Sequence, residues 1–311
     1  MKSHPKPLRR SGANIMANLI LLLGSLSYIM VLAVINGSAG FVSAMGVTLF
    51  GAVGIAKALG EPVALSYGMI GALAILCGAV RGVLRFFEQY GNHFIAFKLL
   101  AVLRDKIFAA LRVLCPAKLE SKQKGSLIAM ITSDIETLEV FYAHTVSPIC
   151  IAVIVSTAVF LFVGFAASWY LAWIALLGYL LIGIAAPMIS SGRLKASGVR
   201  YRAEFASFNA FFLDSIQGIR DIVLNNAGSA RAKEVGRRSD VLLEETRRMK
   251  RGIARAGAAT ELTVSLVVLA VLAAGIALVA HDRLSAGRMI IGVTAVFGSC
   301  LLYTSPSPRD R

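Results

Sequence analysis

Residues 140–192 read VFYAHTVSPICIAVIVSTAVFLFVGFAASWYLAWIALLGYLLIGIAAPMISSG, 53 positions without an Asp, Glu, Lys or Arg. A helix needs about 20 apolar residues to cross roughly 30 Å of hydrocarbon. A backbone in hydrocarbon must also satisfy its own hydrogen bonds. The run therefore predicts two helical crossings, joined by a tight turn near Gly164–Ser168. Trp169, Tyr170 and Trp173 follow that turn, where an interfacial aromatic belt belongs.

Outward from this stretch, residues 62–80 and 262–280 are charge-free for 19 positions each and make one crossing apiece. The whole chain agrees: of 311 residues 57% are hydrophobic and 16% charged, with mean hydropathy +0.73. Soluble domains carry about a quarter charged residues, so the composition is that of an integral membrane protein. It excludes disorder, and four scattered cysteines exclude a disulfide scaffold.

Residues 11–56 are also free of charge, and as one helix their 46 residues would run about 69 Å. A hairpin turning at Asn36–Gly37–Ser38 competes with a short amphipathic elbow followed by one crossing. The positive-inside rule decides. With one crossing, segments 1–10, 81–139 and 193–261 share a side and hold 4, 9 and 14 basic residues, 27 of the chain's 32. The opposite side receives Lys57, Arg283 and Arg288. A hairpin would strand the basic 81–139 segment outside, so one crossing is expected, with residues 1–14 as a cytoplasmic N-terminus of a plasma (inner) membrane protein. No small-x-small cleavage site follows the basic flank Lys2, Lys6, Arg9 and Arg10, so a retained helix is expected rather than a signal peptide.

A sixth crossing starts near Met289 and stays apolar through Tyr303, after which Thr304-Ser-Pro-Ser-Pro-Arg-Asp-Arg311 cannot continue a membrane helix. Residues 300–311 read as a truncated or foreign tail, and 15–299 as one membrane domain.

The two inward segments keep helical periodicity. Phe97, Leu100, Ile107, Leu111 and Leu114 form a seam that resumes at Leu127, Ile131, Ile135 and Leu138 beyond a polar break. In the second segment Phe205, Phe208, Phe212, Ile216 and Ile219 form a stripe before a turn at Asn225-Asn226-Ala-Gly228. Helices leaving the membrane for tens of ångströms suggest docking of a soluble partner; loops that stabilise each other are the alternative.

Leu119–Pro148, with GSLIAMITSDIETLE over 125–139 and Ser147-Pro148, resembles the stretch after the first coupling helix of six-helix ABC exporters. Phe212-Leu-Asp-Ser-Ile-Gln-Gly-Ile-Arg-Asp221 is similar to the second coupling region, and Gly292–Ser299 to the start of the sixth helix. Arg81-Gly-Val-Leu-Arg-Phe-Phe-Glu88 with Asn92-His93 resembles the cysteine and glutathione exporters of cytochrome bd assembly. The resemblance implies an all-α polytopic transmembrane domain with six helices, long intracellular hairpins and a truncated sixth helix. It further implies a dimer of two such halves and ATP with Mg on a nucleotide-binding domain. No G-x-x-x-x-G-K-[S/T] loop occurs here, so the chain is not expected to hydrolyse ATP by itself. That ATPase domain is expected downstream or on another chain.

The resemblance implies coupling roles for Lys118, Glu120, Lys122, Gly125 and Asp134, and for Asp214, Gly218 and Asp221. Arg81, Arg85 and Glu88 fall at i, i+4 and i+7, one helical face just past an apolar run. They line a translocation cavity for an anionic carboxylate, or form a snorkelling pair with an internal salt bridge. His93 joins that cavity, or is simply a packed residue. The four histidines show no metal spacing, and the cysteines make no C-x-x-C and are expected as small buried hydrophobes. Gly78 and Gly82 form a G-x-x-x-G that would permit close helix approach. Arg237-Arg238 and Arg247–Arg251 are interleaved with acids and precede a crossing, so lipid attraction explains them and no nucleic acid is expected. An ion-gradient transporter and a non-transporting scaffold are the competing functions; mid-membrane acids, which the first would need, are absent from 140–192 and 262–280.

Overall fold

The computed structural model describes residues 24–114 and 142–300, which divide into two compact units at Leu161/Phe162. Every regular element among the described residues is helical. We number them α1 (Ser27–Ala58), α2 (Tyr67–Leu114), α3 (Ser147–Ala166), α4 (Trp169–Leu180), α5 (Ala186–Gln217), α6 (Ile219–Leu224), α7 (Gly228–Ala280) and α8 (Ala286–Cys300). Helices α1, α2, α3 and α7 and the run Trp169–Gly192 are long and apolar enough to cross a membrane; α8 is a shorter apolar helix. α1 is one unbroken helix through Asn36–Gly37–Ser38, which removes the hairpin alternative. The elbow expected before it lies outside the described residues.

In the first unit α1 and α2 run antiparallel along a seam of small residues. Cβ atoms built on glycines show how close the backbones come. At Gly91 one would stand 3.2 Å from Ala33 Cβ, at Gly37 3.0 Å from Glu88 Cδ, at Gly40 3.5 Å from Leu84 Cβ and at Gly46 2.8 Å from Cys77 Sγ. Each pair steps up α1 as it steps down α2, the signature of one continuous contact line. The expected close approach at Gly78 and Gly82 is not the one used. A Cβ on Gly82 meets nothing within 4 Å, and the glycines that matter lie mainly on α1.

Three helix ends close with a left-handed residue: Gly60 (φ +92°), Asn226 (φ +51°) and Asp282 (φ +54°). Each end satisfies its last carbonyls by paired reverse bonds, such as Glu61 N–H to Ala56 O (3.1 Å) and Arg283 N–H to Leu278 O (2.9 Å). In the α1–α2 loop the Lys57 ammonium donates to the carbonyls of Val63 (3.2 Å) and Leu65 and stands over the Tyr67 ring.

In the second unit α4 passes through a π-helical segment, Leu181–Ala185, directly into α5. Pro187 sits in the first turn of α5, so its missing N–H falls where the π segment has already loosened the ladder. α7 packs on α4, α5 and α8. A Cβ on Gly178 would stand 2.5 Å from Val267 Cγ1, and one on Gly275 2.7 Å from Met289 Cγ. The buried Tyr179 hydroxyl reaches Ser299 Oγ at 2.5 Å, and Ser299 donates onward to Val296 O at 2.7 Å.

The turn between α3 and α4 falls at Ala167–Ser168, as the 53-residue run predicts. Ser168 Oγ accepts from Tyr170 N–H at 3.3 Å and caps α4. The cysteines differ from expectation in part: Cys300 is buried and Cys77 half-buried, but Cys150 is exposed on α3.

Candidate functional site

α2 is 48 residues long, about 72 Å, so it is long enough to carry both a crossing and an unbroken extension beyond it. Arg81, Arg85 and Glu88 lie on its α1-facing side and, with Gly37, Gly40, Phe41 and Ala44, line a cavity of about 150 Å³. The absence of side chains at Gly37 and Gly40 leaves room for the long ones opposite. Glu88 is 3% exposed, and both its oxygens accept from Arg85 Nη1, at 2.8 and 2.7 Å. The guanidinium end of that pair remains half-exposed. Arg81 has no ion pair among the described residues, so the lining carries one uncompensated positive charge. The structure thus contains the expected internal pair, Arg85–Glu88, beside a cavity that Arg81 also lines.

Three buried polar residues lie close in sequence to residues at this contact: Ser38 is adjacent to Gly37, Asn92 is one turn beyond Glu88, and Ser147 is one turn before Ile151, whose Cδ1 abuts Gly37. Ser38 Oγ, Asn92 Oδ1 and Ser147 Oγ have no hydrogen-bond partner among the described residues. Sequence reasoning missed Gly37, Gly40, Phe41 and Ala44; the Gly–x–x–Gly step on α1 was the available signal.

His93 does not line this cavity. Five residues past Glu88 turns it about 140° around the helix. It instead joins Phe86, Tyr90, Phe94 and Phe97 on another face, with its ring 5.7 Å from that of His144. Of the predicted seam, Leu100 is buried and Ile107 and Leu111 are half-buried, whereas Phe97 is exposed and Ile95, Ala96 and Leu99 are buried beside it.

The second candidate region is the hairpin α5–α6–α7. Gly218 ends α5 and starts α6; a Cβ there would press on Asp214 O at 3.2 Å, which favours glycine at the bend. Asp214, Gly218 and Asp221 thereby share the tip, with Asp214 paired to Arg231 and Asp221 exposed. The stripe Phe205, Phe212, Ile216 and Ile219 faces away from α7 and is exposed, with Phe208 half-buried. The helix instead meets α7 through Phe211 and Ser215. Arg231 and Arg238 place their guanidinium carbons 3.8 and 4.0 Å from the Phe211 ring centroid. Arg231 also donates to Ser215 Oγ at 2.7 Å. Glu234 accepts from Arg237 at 2.7 Å and Arg238 at 2.8 Å, and these bonds hold its carboxyl down at about 2. Arg248 pairs with Glu244 and Glu245, so Arg237, Arg238 and Arg248, half of the basic residues in the two clusters, are paired within the helix. Lys118, Glu120, Lys122, Gly125 and Asp134 lie outside the described residues.

Two comparisons bear on this arrangement. The family described as the ABC transporter transmembrane region matches residues 26–298. The "Probable ABC transporter ATP-binding/permease protein" of Haemophilus influenzae is 37% identical over 292 residues, 94% of this chain and 53% of that protein. The same organism's "Glutathione/L-cysteine transport system ATP-binding/permease protein CydC" is 32% identical over 85 residues, 27% of this chain and 15% of that one. The chain therefore spans about half the length of the first relative.

Proposed function

The chain belongs to the ABC transporter transmembrane-region family, and from that membership we propose that it is the membrane half of an ATP-driven exporter of a small anionic or zwitterionic compound such as cysteine or glutathione. As a membrane domain of this family it works with an ATPase module, which on this proposal binds ATP and Mg. A second membrane half completes the pathway. The excess of basic residues in 1–10, 81–139 and 193–261 supports an inner-membrane protein with its N-terminus and hairpins in the cytoplasm.

The observation that carries the cargo class is Arg81, a cation without an ion pair among the described residues, beside the Arg85–Glu88 pair in a cleft walled by two membrane helices. A guanidinium of this kind recognises a carboxylate through directed N–H donors. The name of the partly matching relative points to the same class of compound. Glu88 keeps Arg85 fixed, so an arriving carboxylate meets Arg81 without having to break the pair.

For the drive, ATP binding closes two ATPase modules, and the hairpin carrying Asp214, Gly218 and Asp221 receives that motion through its exposed apolar stripe. Lys118, Glu120, Lys122, Gly125 and Asp134 form the companion contact. The helices behave as rigid bodies, so the cavity switches between inward- and outward-facing states.

Uptake of radiolabelled cysteine and glutathione into inside-out vesicles, with the chain joined to its ATPase module, tests this reading. ATP-dependent uptake that Arg81→Ala abolishes, with ATP hydrolysis retained, is the expected result. Gradient-driven uptake without ATP would make it a secondary transporter, and partner binding without flux a scaffold; each would overturn the proposal.

A further inference from the structure

The end of α7 remote from the hairpin carries a second, unrelated groove. Tyr170 and Ile174 of α4 and Ala274, Ala277 and Leu278 of α7 wall a cavity of about 610 Å³, with His281 and Arg283 at its mouth. That volume falls within the usual range of about 300–1,000 Å³ for small-molecule sites. Its walls belong to two membrane-crossing segments, Trp169–Gly192 and Gly228–Ala280, while its mouth sits at the turn that ends them. Polarity thus runs along the groove from a guanidinium and an imidazole to an aliphatic floor.

The mouth is built rather than frayed. Asp282 adopts φ +54°, and the N–H groups of Asp282 and Arg283 bond Val279 O (3.0 Å) and Leu278 O (2.9 Å). This C-terminal motif fixes the backbone from which His281 and Arg283 project. Opposite them stands the capped N-terminus of α4, whose helix dipole favours anions. Arg283 has no ion pair among the described residues, although Asp282 is its neighbour. Of the three cations assigned to this side, Lys57 is already engaged with loop carbonyls. An interfacial arginine without an ion pair among the described residues is available to an anion.

We infer that this groove binds an anionic phospholipid of the leaflet opposite the hairpins, with the headgroup phosphate on Arg283 and His281 and an acyl chain along Ile174, Ala274, Ala277 and Leu278. Arginine and phosphate pair through directed N–H donors. Tyr170, in the first turn of α4, lines the groove with a ring suited to an interfacial position. The small side chains of Ala274 and Ala277 keep the floor open for a chain of methylenes. A soluble anion would use the mouth alone; the aliphatic floor is what selects an amphiphile. This site shares no residue with the Arg81 cavity and does not depend on what is exported.

The chain's two tryptophans, Trp169 and Trp173, flank Tyr170 in the first turns of α4 and report on the site directly. The complete transporter is placed in phosphatidylcholine nanodiscs containing a tenth brominated phosphatidylglycerol or a tenth brominated phosphatidylcholine. The component of fluorescence lost in Trp173→Phe is followed. The anionic quencher is expected to show an apparent enrichment of about five-fold at this site, the effect of one interfacial arginine. Arg283→Gln is expected to remove the preference while leaving the circular dichroism unchanged. Equal quenching by both lipids, or a preference that survives Arg283→Gln, overturns the inference. Reversal by excess inorganic phosphate would also overturn it, because the ligand would then be a soluble anion.

Discussion

Replacing Phe211 by leucine removes the ring that ties α5 to α7 while preserving most of its apolar bulk. The ring meets two guanidiniums, Arg231 at 3.8 Å and Arg238 at 4.0 Å from its centroid. Those residues are seven apart on α7, about 10.5 Å along its axis, so they flank the ring. A cation over an aromatic face contributes about 0.5–1 kcal/mol when exposed and about 2 when desolvated. At a half-buried site two such contacts come to about 2 kcal/mol, or roughly a thirty-fold rise in local opening, since about 1.4 kcal/mol is tenfold. Hydrogen exchange of amides 205–240, measured by mass spectrometry in nanodiscs, reads that opening. Arg231→Met also loses the bond to Ser215 and the pair with Asp214; that carboxylate is 75% exposed, so the pair adds about 0.2–1 kcal/mol. The double variant should be less damaged than the sum, with a coupling of about 1 kcal/mol assigned to the ring contact. Exchange in Phe211→Leu within twofold of the parent, or effects that add to within about 0.3 kcal/mol, would refute the argument.

Glu88→Gln is expected to destabilise the first unit by about 1–3 kcal/mol, because Arg85 loses the carboxylate that it binds. Adding Arg85→Met should recover most of that loss in a thermal-shift assay. Gly178→Val should cost about 1–3 kcal/mol through collision with Val267, whereas Gly236→Ala, with nothing within 4 Å, should stabilise α7 by up to about 1 kcal/mol. Denaturation midpoints of the two variants, which should move in opposite directions, check this. Glu234 titrates near 2 because Arg237 and Arg238 bond its ionised form, so its folded value lies below the ordinary 4.5. Its contribution to hairpin stability is therefore complete above about pH 4.5 and vanishes as pH falls through about 2. Carboxyl NMR of glutamate-labelled protein should find one group still ionised at pH 3, and Glu234→Gln should remove that signal.

Crossings were legible because the bilayer imposes a length and forbids charge, two constraints that leave long marks in a sequence. The turn at Ala167–Ser168 and the one at Asn225–Ala227 were legible for a related reason: each carries residues that cap or reverse a helix. Helix faces were less readable. Phe205, Phe212, Ile216 and Ile219 have the spacing of a core stripe, yet among the described residues they are exposed, while the contact to α7 runs through Phe211 and buried Ser215. Apolar periodicity says that a face is to be covered but not by which molecule. The α1–α2 seam escaped for the opposite reason. Small residues mark close approach only when the facing helix is known, and glycine is abundant enough here, at 28 residues, to make any one pair uninformative. For the Arg81 cavity the α2 half was visible as an i, i+4, i+7 face; the α1 half required the register of the seam.

The unbroken length of α7 sets a mechanical ratio. About 34 of its 53 residues precede the apolar crossing, an arm of roughly 51 Å. A pivot of only 5° where the helix enters the bilayer sweeps the far end through about 4.4 Å, nearly the 5.4 Å pitch of one helical turn. On the proposed coupling, large travel at the tip would be geared down to small displacements with proportionally larger thrust among the membrane helices. A joint that flexed at Phe211 would dissipate that stroke before it arrived, so stiffness along the arm matters as much as the grip at its end.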